Sequence, residues 1–449
     1  MASKKTFIPT PEQLMLSEAR KAKKLREANT LLSANLKPDL PAQIISRPWI
    51  SLESQQELDI KLQRVKIMTW NLLAQCLVRR ELFPTSNCLK AGQREGMLHA
   101  EILAQEPDII CLQEVDRLER LLPVLEKAGY QSCFASGRGK KHGCLITFKE
   151  ALYSVVEEQV IYYDDEDVRD HGSEKSRRGS SFYTKNIGFL IALKSKHDTH
   201  QGVIIATTHL FWHPKYTYER SRQAGILVRE VVKFRAQLGL LEWPILIAGD
   251  FNFPPEDPGY SLLVGDPLLA AQAEQVLRSQ VIHVSIDPTV PATTPVSVDD
   301  EGGEAEAVDP DRVIVNARPS TDEDGLLSIQ EILDLFPAES KVRSVYDAGL
   351  SKCKYSQIPS YGNRVLLPSG RRGFHEPEYT SYTHYWKSVL DYIFVLDPVD
   401  RSSKVTSLLS PHNVDDIRAG LPQKGVCGSD HVSLAADLVW ATQTATTPL

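Results

Sequence analysis

Six short segments each set a carboxylate, an amide or an imidazole directly against an apolar run. Asn71 follows VKIMTW, Gln113 and Glu114 follow DIICL, His209 follows VIIATT, and Asp250 and Asn252 follow PILIAG. Asp391 lies inside SVLDYIFVL, and Asp430 and His431 fall in CGSDHVSL. A strand end is where a sheet protein presents reactive groups, because the strand fixes the backbone while the loop exposes the side chain. Taken singly, each has an ordinary reading: Asn71 caps a turn, Glu114 caps a following helix, and His209 is a satisfied buried histidine. Together they make a set of hard oxygen donors with two histidines and no thiolate. That is the donor set of Mg²⁺ chemistry on phosphates, in which one or two carboxylates hold the ion while phosphate oxygens and water complete its shell. Phosphodiester hydrolysis also needs a positioned water, a group to polarise it, and positive charge where the transition state gathers negative charge. These residues can supply all three. The sequence contains no GxxxxGK[ST], GxSxG or HExxH, which excludes P-loop enzymes, elbow-type serine hydrolases and zincins.

The elements that must hold these groups are legible as short apolar runs. Val65–Trp70 reads as a buried strand from its β-branched and aromatic content, as do Asp108–Leu112, Gly143–Phe148, Ile187–Leu193, Val203–Thr208, Pro244–Ala248 and Val389–Leu396. Gln93–Gln105 puts Met97, Leu98, Ile102 and Leu103 on one helical face, and Glu106-Pro107-Asp108 ends it. Further helices are expected around Leu118–Lys127 and Arg220–Leu238. Several strand pairs leave no room for a helix between them, so the sheets must be partly antiparallel. The mixture predicts an α/β or layered α+β enzyme. Asp164–Ser181 is highly charged and 287–326 is acidic and rich in Pro, Gly and Ser, so both are expected to be mobile insertions.

The blocks MTWNLLAQ (68–75), PDIICLQEVD (107–116), ATTHL (206–210), IAGDFN (247–252), LDYIF (390–394) and GSDHVSL (428–434) resemble, in order, those of the endonuclease/exonuclease/phosphatase superfamily. Within it the chain is similar to the 3′-exoribonuclease branch of deadenylases, nocturnin, Angel proteins and fungal Ngl-type RNA exonucleases. NLLAQ, CLQEVD and the Tyr-Thr-rich stretch YTSYTHYWKSVLDYIF (379–394) carry that closer likeness. The resemblance implies a four-layer α/β sandwich, two packed mixed sheets with helices outside. It covers 61–440, with a basic extension and linker over 1–60, a charged loop at 164–181, an acidic insertion at about 287–335 and a tail at 441–449. It implies a Mg²⁺-dependent 3′→5′ exoribonuclease releasing 5′-monophosphates from the 3′ end of single-stranded RNA, with Mn²⁺ as a substitute ion. By the same resemblance Glu114 is the main metal ligand, with Asn71 beside it and Asp430 near a second metal position. Asp250 orients or deprotonates the water, Asn252 helps to hold the phosphate, and His209 contacts it. His431 stabilises the phosphorane and Asp391 fixes its tautomer.

The aromatic that stacks on the substrate base in deadenylases corresponds to Trp386, whose other reading is a Trp buried beside the strand. His142 stands where deadenylases usually have Asp. Two other functions remain open: a phosphatase acting on a small nucleotide, as nocturnin illustrates, and a catalytically silent RNA-binding protein.

The chain has 449 residues, 42% hydrophobic and 24% charged, as in an ordinary globular protein. No apolar run approaches the ~20 residues of a spanning helix, and MASKKTFIPT lacks the apolar core of a secretory signal. The seven cysteines are scattered and include no CxxC pair, which points to reduced thiols. An intracellular setting is therefore expected, in the nucleus or nucleolus or in the cytoplasm, with no membrane. The net charge of −7 conceals an asymmetry: residues 296–326 carry −8, the rest +1, and residues 1–48 alone +5. The basic arm reads either as a nucleic-acid contact or nuclear address, or as a solvated amphipathic helix from Pro11 to Leu31. Arg94, Lys141, Lys185, Lys215, Arg220, Arg222 and Lys387 are candidates for steering RNA, each with the alternative of a solvated surface charge.

Overall fold

Strands that are apolar along their whole length must be covered on both faces, and this chain covers them by stacking two sheets and flanking the pair with helices. A computed structural model describes residues 44–52, 62–291, 316–353 and 358–441. Residues 1–43 of the basic arm and much of the acidic segment therefore lie outside the described residues. In chain order the strands of the two main sheets are β1 (Trp49–Ser51), β2 (Leu62–Asn71), β3 (Ile109–Val115), β4 (Tyr130–Ala135), β5 (Gly143–Lys149), β6 (Tyr153–Tyr162) and β7 (Ile187–Ser195). They continue with β8 (Gly202–His209), β9 (Ile245–Asp250), β10 (Arg343–Ser344), β11 (Asp391–Leu396), β12 (Lys404–Leu409) and β13 (Leu434–Ala441). One sheet runs β1-β12-β13-β2-β3-β5-β4 and the other β10-β11-β9-β8-β7-β6. Only β2–β3 and β8–β9 are parallel, so both sheets are mixed, as the short connections require.

Alternation along each strand sorts the side chains into layers. Ile109 and Cys111 of β3 meet Leu246 and Ala248 of β9 in the core between the sheets. Ile110 and Leu112 face the other way, onto α1 (Ala91–Gln105) and α2 (Leu118–Lys127) through Leu98, Ile102, Leu121 and Leu125. Ile245 and Ile247 likewise turn outward onto α3 (Thr217–Gln237), packing with Ala224, Leu227 and Val231. This is the expected four-layer sandwich. In α1, Met97 is buried as expected, but Leu103 is 36% exposed and faces away from the core.

Loop 164–181 and the described ends of the acidic segment are tied to the fold by hydrogen bonds and ion pairs. Arg222 of α3, wholly buried, donates to the carbonyls of Arg178 at 2.6 Å and Tyr163 at 3.0 Å. Its neighbour Glu219 accepts from the backbone N–H and the hydroxyl of Ser181, both at 2.9 Å. Loop 164–181 is thus fastened at both ends, and it contains a helix at Glu174–Arg178. Arg169 in that loop pairs with Glu331, and Lys175 with Asp324. The described part of the acidic insertion therefore packs against the charged loop, its own Arg318 pairing with Asp287 and Asp324. Opposite charges in the described parts of the two segments thus pair across them.

The segment before β11 rests on a buried acid. Tyr260 donates its hydroxyl to Glu376 Oε1 at 2.8 Å, and burial raises the Glu376 carboxyl to about 8. A glutamate in the unfolded chain titrates near ~4.3. The folded protein thus keeps this proton where the unfolded chain has lost it, so the term favours folding at low pH and is lost as pH rises to about 8. Denaturant melts of wild type and Glu376→Gln should converge near pH ~4, with the wild type falling below the variant toward pH ~8. Parallel pH profiles would contradict a buried, protonated Glu376.

Candidate active site

Register decides which side chains meet. Asn71 at the end of β2 pairs with Gln113 in β3, placing Glu114 one residue beyond. In the other sheet His209 pairs with Asp250 across β8–β9, and Asp250 pairs with Asp391 across β9–β11. The active ends of both sheets therefore lie at one edge of the sandwich. Gln113 Nε2 crosses between them, donating to Thr69 Oγ1 at 3.2 Å and to Thr207 Oγ1 at 2.9 Å.

Asn71 joins the two sheets' carboxylates: its Nδ2 donates to Glu114 Oε1 at 3.0 Å and to Asp250 Oδ2 at 2.9 Å. Glu114 Oε2 accepts from Ala74 N at 2.8 Å. Burial disfavours the Glu114 charge, but its surroundings outweigh it, the hydrogen bonds from Asn71 and the Ala74 amide among them, and hold the carboxyl below its ordinary range. Asp250 Oδ1 accepts from Asn252 N at 3.0 Å, and Asn252 Nδ2 donates to Leu210 O at 3.0 Å. Both Glu114 (φ 56°) and Asn252 (φ 55°) have left-handed backbones, a local strain typical of functional sites. His209 sits between the sheets, Nδ1 3.8 Å from Glu114 Oε1 and Nε2 3.6 Å from Asp250 Oδ2. Burial lowers its pKa to about 3, so the ring is neutral.

His431 has the opposite character. Its Nδ1 lies 2.8 Å from Asp391 Oδ2 and its Nε2 3.7 Å from Asp250 Oδ2. Burial opposes its charge, yet Asp391, Asp250 and Asp430 together push the imidazole well above its usual range. A backbone template places this pair. Thr380 Oγ1 accepts from the N–H of Leu390 at 2.8 Å and of Asp391 at 3.0 Å, while Thr380 O accepts from Val432 N at 2.6 Å. One residue on, Ser381 bridges His431, and Tyr382 N donates to Asp430 O at 3.1 Å. The Tyr-Thr-rich stretch is thus the strap that sets Asp391 against His431, a role the sequence reading did not assign to Thr380.

The donor set fits a divalent cation. Burial drives the carboxyls of Asp250 and Asp430 upward, with the charges of Asp391 and Glu114 respectively adding to it, as expected where like charges share a site. Asp250, Asp391 and His431 also lie close enough together to hold an ion. There Asp391 Oδ2 and His431 Nδ1 face each other at 2.8 Å, while Asp391 Oδ1 is buried without a hydrogen-bond partner.

These groups open into a cleft of ≈ 990 Å³. Trp386 lines it half-buried, its Nε1 donating to Ser381 Oγ at 3.0 Å and its ring edge-on to Phe83 at 5.9 Å. It is neither fully buried nor free. Lys140, His142, Trp212 and Lys215 line other parts of the cleft. The sequence reading passed over Trp212, which follows no strand directly and sits in no diagnostic spacing. Three expected RNA-steering arginines are instead structural. Arg94 donates to the carbonyls of Leu72 at 3.2 Å and Gly428 at 3.1 Å, Arg222 staples the charged loop, and Arg220 pairs with Asp257 at 3.0 Å. All three are buried.

A family model described as Endonuclease/Exonuclease/phosphatase family matches residues 68–431. A probable RNA exonuclease of Schizosaccharomyces pombe is 30% identical over 458 residues, spanning 96% of this chain and 88% of the relative. The RNA exonuclease NGL2 of Saccharomyces cerevisiae is 27% identical over 485 residues, spanning 96% of this chain and 89% of the relative. The solved structure of ANGEL2, a 2′,3′-cyclic phosphatase, in complex with adenosine-2′,3′-vanadate shares the fold, with a TM-score of 0.57 at 20% identity over 89% of this chain and all (100%) of that one.

If Thr380 sets the Asp391–His431 pair, Thr380→Val should lower kcat about 10-fold or more with KM nearly unchanged. Thr380→Ser, which keeps the hydroxyl, should restore most of it. Equal loss in both variants would mean that the strap acts through packing alone.

Proposed function

Because the chain belongs to the endonuclease/exonuclease/phosphatase family, we propose that it is a Mg²⁺-dependent 3′→5′ exoribonuclease that releases nucleoside 5′-monophosphates from single-stranded RNA. The observation that carries this reading is the meeting of Glu114, Asn71, Asp250, His209, Asp391 and His431 at one edge of the two sheets. The RNA exonuclease names of relatives aligned over nearly their whole length support the substrate class.

Glu114, with Asn71 and Asp430, would hold the divalent ion, and a bound Mg²⁺ supplies positive charge at the phosphoryl oxygens. The chain's own groups do the rest. Asp250, aimed by the Asn71 amide and the Asn252 N–H, orients the attacking water and receives its proton. Neutral His209 donates a hydrogen bond to the scissile phosphate, and Asn252 helps to hold it. The His431 imidazolium, kept charged by Asp391, faces the negative charge that develops on the phosphorane. Trp386 offers its face to the terminal base, a contact that tolerates any base. All seven cysteines are free, in keeping with an intracellular setting, and among the described residues no helix is long and apolar enough to cross a membrane.

A second reading, a phosphatase for a small nucleotide, draws on the pocket beside Glu114 formed by Lys140, His142, Asn186 and His209. Lys140 and Lys185 in its lining are the cations that would face one extra phosphate.

With Mg²⁺, 5′-labelled single-stranded RNA should shorten in one-nucleotide steps. EDTA should stop the reaction, and Glu114→Gln should lower kcat by ~100-fold or more. Trp386→Ala should raise KM about 10-fold. Release of inorganic phosphate from a small nucleotide without RNA shortening would decide for the phosphatase.

A further inference from the structure

The loop after β8 carries an aromatic surface that the proposed chemistry leaves unused. Trp212 is 43% exposed and lines the cleft only three positions beyond His209. Other aromatic rings, buried or half-buried, cluster around its base. Its indole lies 4.9 Å from the His213 ring, which in turn lies 4.6 Å from Tyr216. Phe182 contacts Phe211 at 4.7 Å and Tyr216 at 4.8 Å, and stacks on His283 at 4.8 Å.

The backbone of this loop is clamped as firmly. Buried Arg220 donates to the carbonyls of His213 and Pro214, and pairs at 3.0 Å with Asp257. Asp257 caps the following helix, accepting from Gly259 N at 2.8 Å. Gln223 Oε1 accepts from Phe211 N at 3.0 Å. A large ring with nearly half its surface exposed is therefore carried on a clamped loop at the wall of the cleft. Exposed Lys215 lies three positions on, and Arg278, paired with Glu274, lines the same cleft. A planar apolar face beside cations matches the base and phosphate of a nucleic acid strand.

We propose that Trp212 is a second base-stacking platform, taking a nucleotide of single-stranded RNA upstream of the terminal one, with Lys215 beside its phosphates. The proposal rests on the exoribonuclease reading and adds that the enzyme grips several nucleotides rather than one. The cleft's ≈ 990 Å³ stands at the upper end of the ~300–1,000 Å³ usual for small-molecule sites, which leaves space beyond a single nucleotide.

The test uses the full-length protein carrying Asp250→Asn to halt turnover, with Mg²⁺ and 5′-labelled single-stranded oligonucleotides of about two to about eight nucleotides, read by fluorescence anisotropy. Affinity should rise with length, and adding Trp212→Ala should cost the longest strand about 10-fold and the dinucleotide far less. Trp212→Phe should keep most of the gain, in oligo(A) and oligo(U) alike. An undiminished length gain in Trp212→Ala, or an equal loss at every length, overturns the proposal. Trp212-dependent binding by a protein that shortens no RNA in its wild-type form would sink the exonuclease reading and leave the platform standing. Absence of RNA binding at any length would sink both.

Discussion

One side-chain amide carries the geometry of the site: Asn71 donates to Glu114 of its own sheet and to Asp250 of the opposite sheet. The two sheets contribute different reactive groups, so the site exists only while their ends stay in step. Gln113 reinforces that alignment from below by reaching Thr207 across the sheet interface. A one-residue slip in either register would turn the donor set toward the opposite face. The core between the sheets, with Ile109, Cys111, Leu246 and Ala248 in contact, is what forbids the slip. Stability and function are here the same constraint.

The electrostatic arrangement separates two histidines by environment. His209 is neutral because burial outweighs its acidic neighbours, whereas His431 is charged because Asp391, Asp250 and Asp430 together outweigh the same burial. One ring therefore offers a hydrogen bond and the other a full positive charge, within a single cleft. Concentrating this many buried carboxylates is unfavourable for folding. The strained backbones of Glu114 and Asn252 add to that cost, as is usual where function rather than stability sets the conformation.

Much of this was legible in the sequence, for definite reasons. Buried strands need continuous apolar runs, and a site at strand ends needs polar residues immediately after them, so Asn71, Glu114, His209, Asp250 and His431 announced themselves. The helix Leu118–Lys127 has the bounds expected from its pattern. Charge was the poor guide. Arg94, Arg220 and Arg222 look like surface cations in a linear sequence, but each satisfies backbone carbonyls that no local helix or strand can satisfy, and such partners are invisible without the fold. The anchoring of loop 164–181 was hidden in the same way, because its partners lie at Glu219, Arg222 and Glu331, far along the chain. Trp212 left no spacing signal, since its significance lies in being exposed on a rigid loop, which only the structure displays.

The proposed function puts a divalent ion on the Glu114 side of the cluster, where Asn71 links the sheets. Crystals grown with Mn²⁺ and measured at its absorption edge test this without any assay of turnover. The strongest anomalous peak should lie against the Glu114 carboxylate, with Asn71 and Asp430 around it. A strongest peak between Asp391 and His431, with Glu114 bare, would contradict the account.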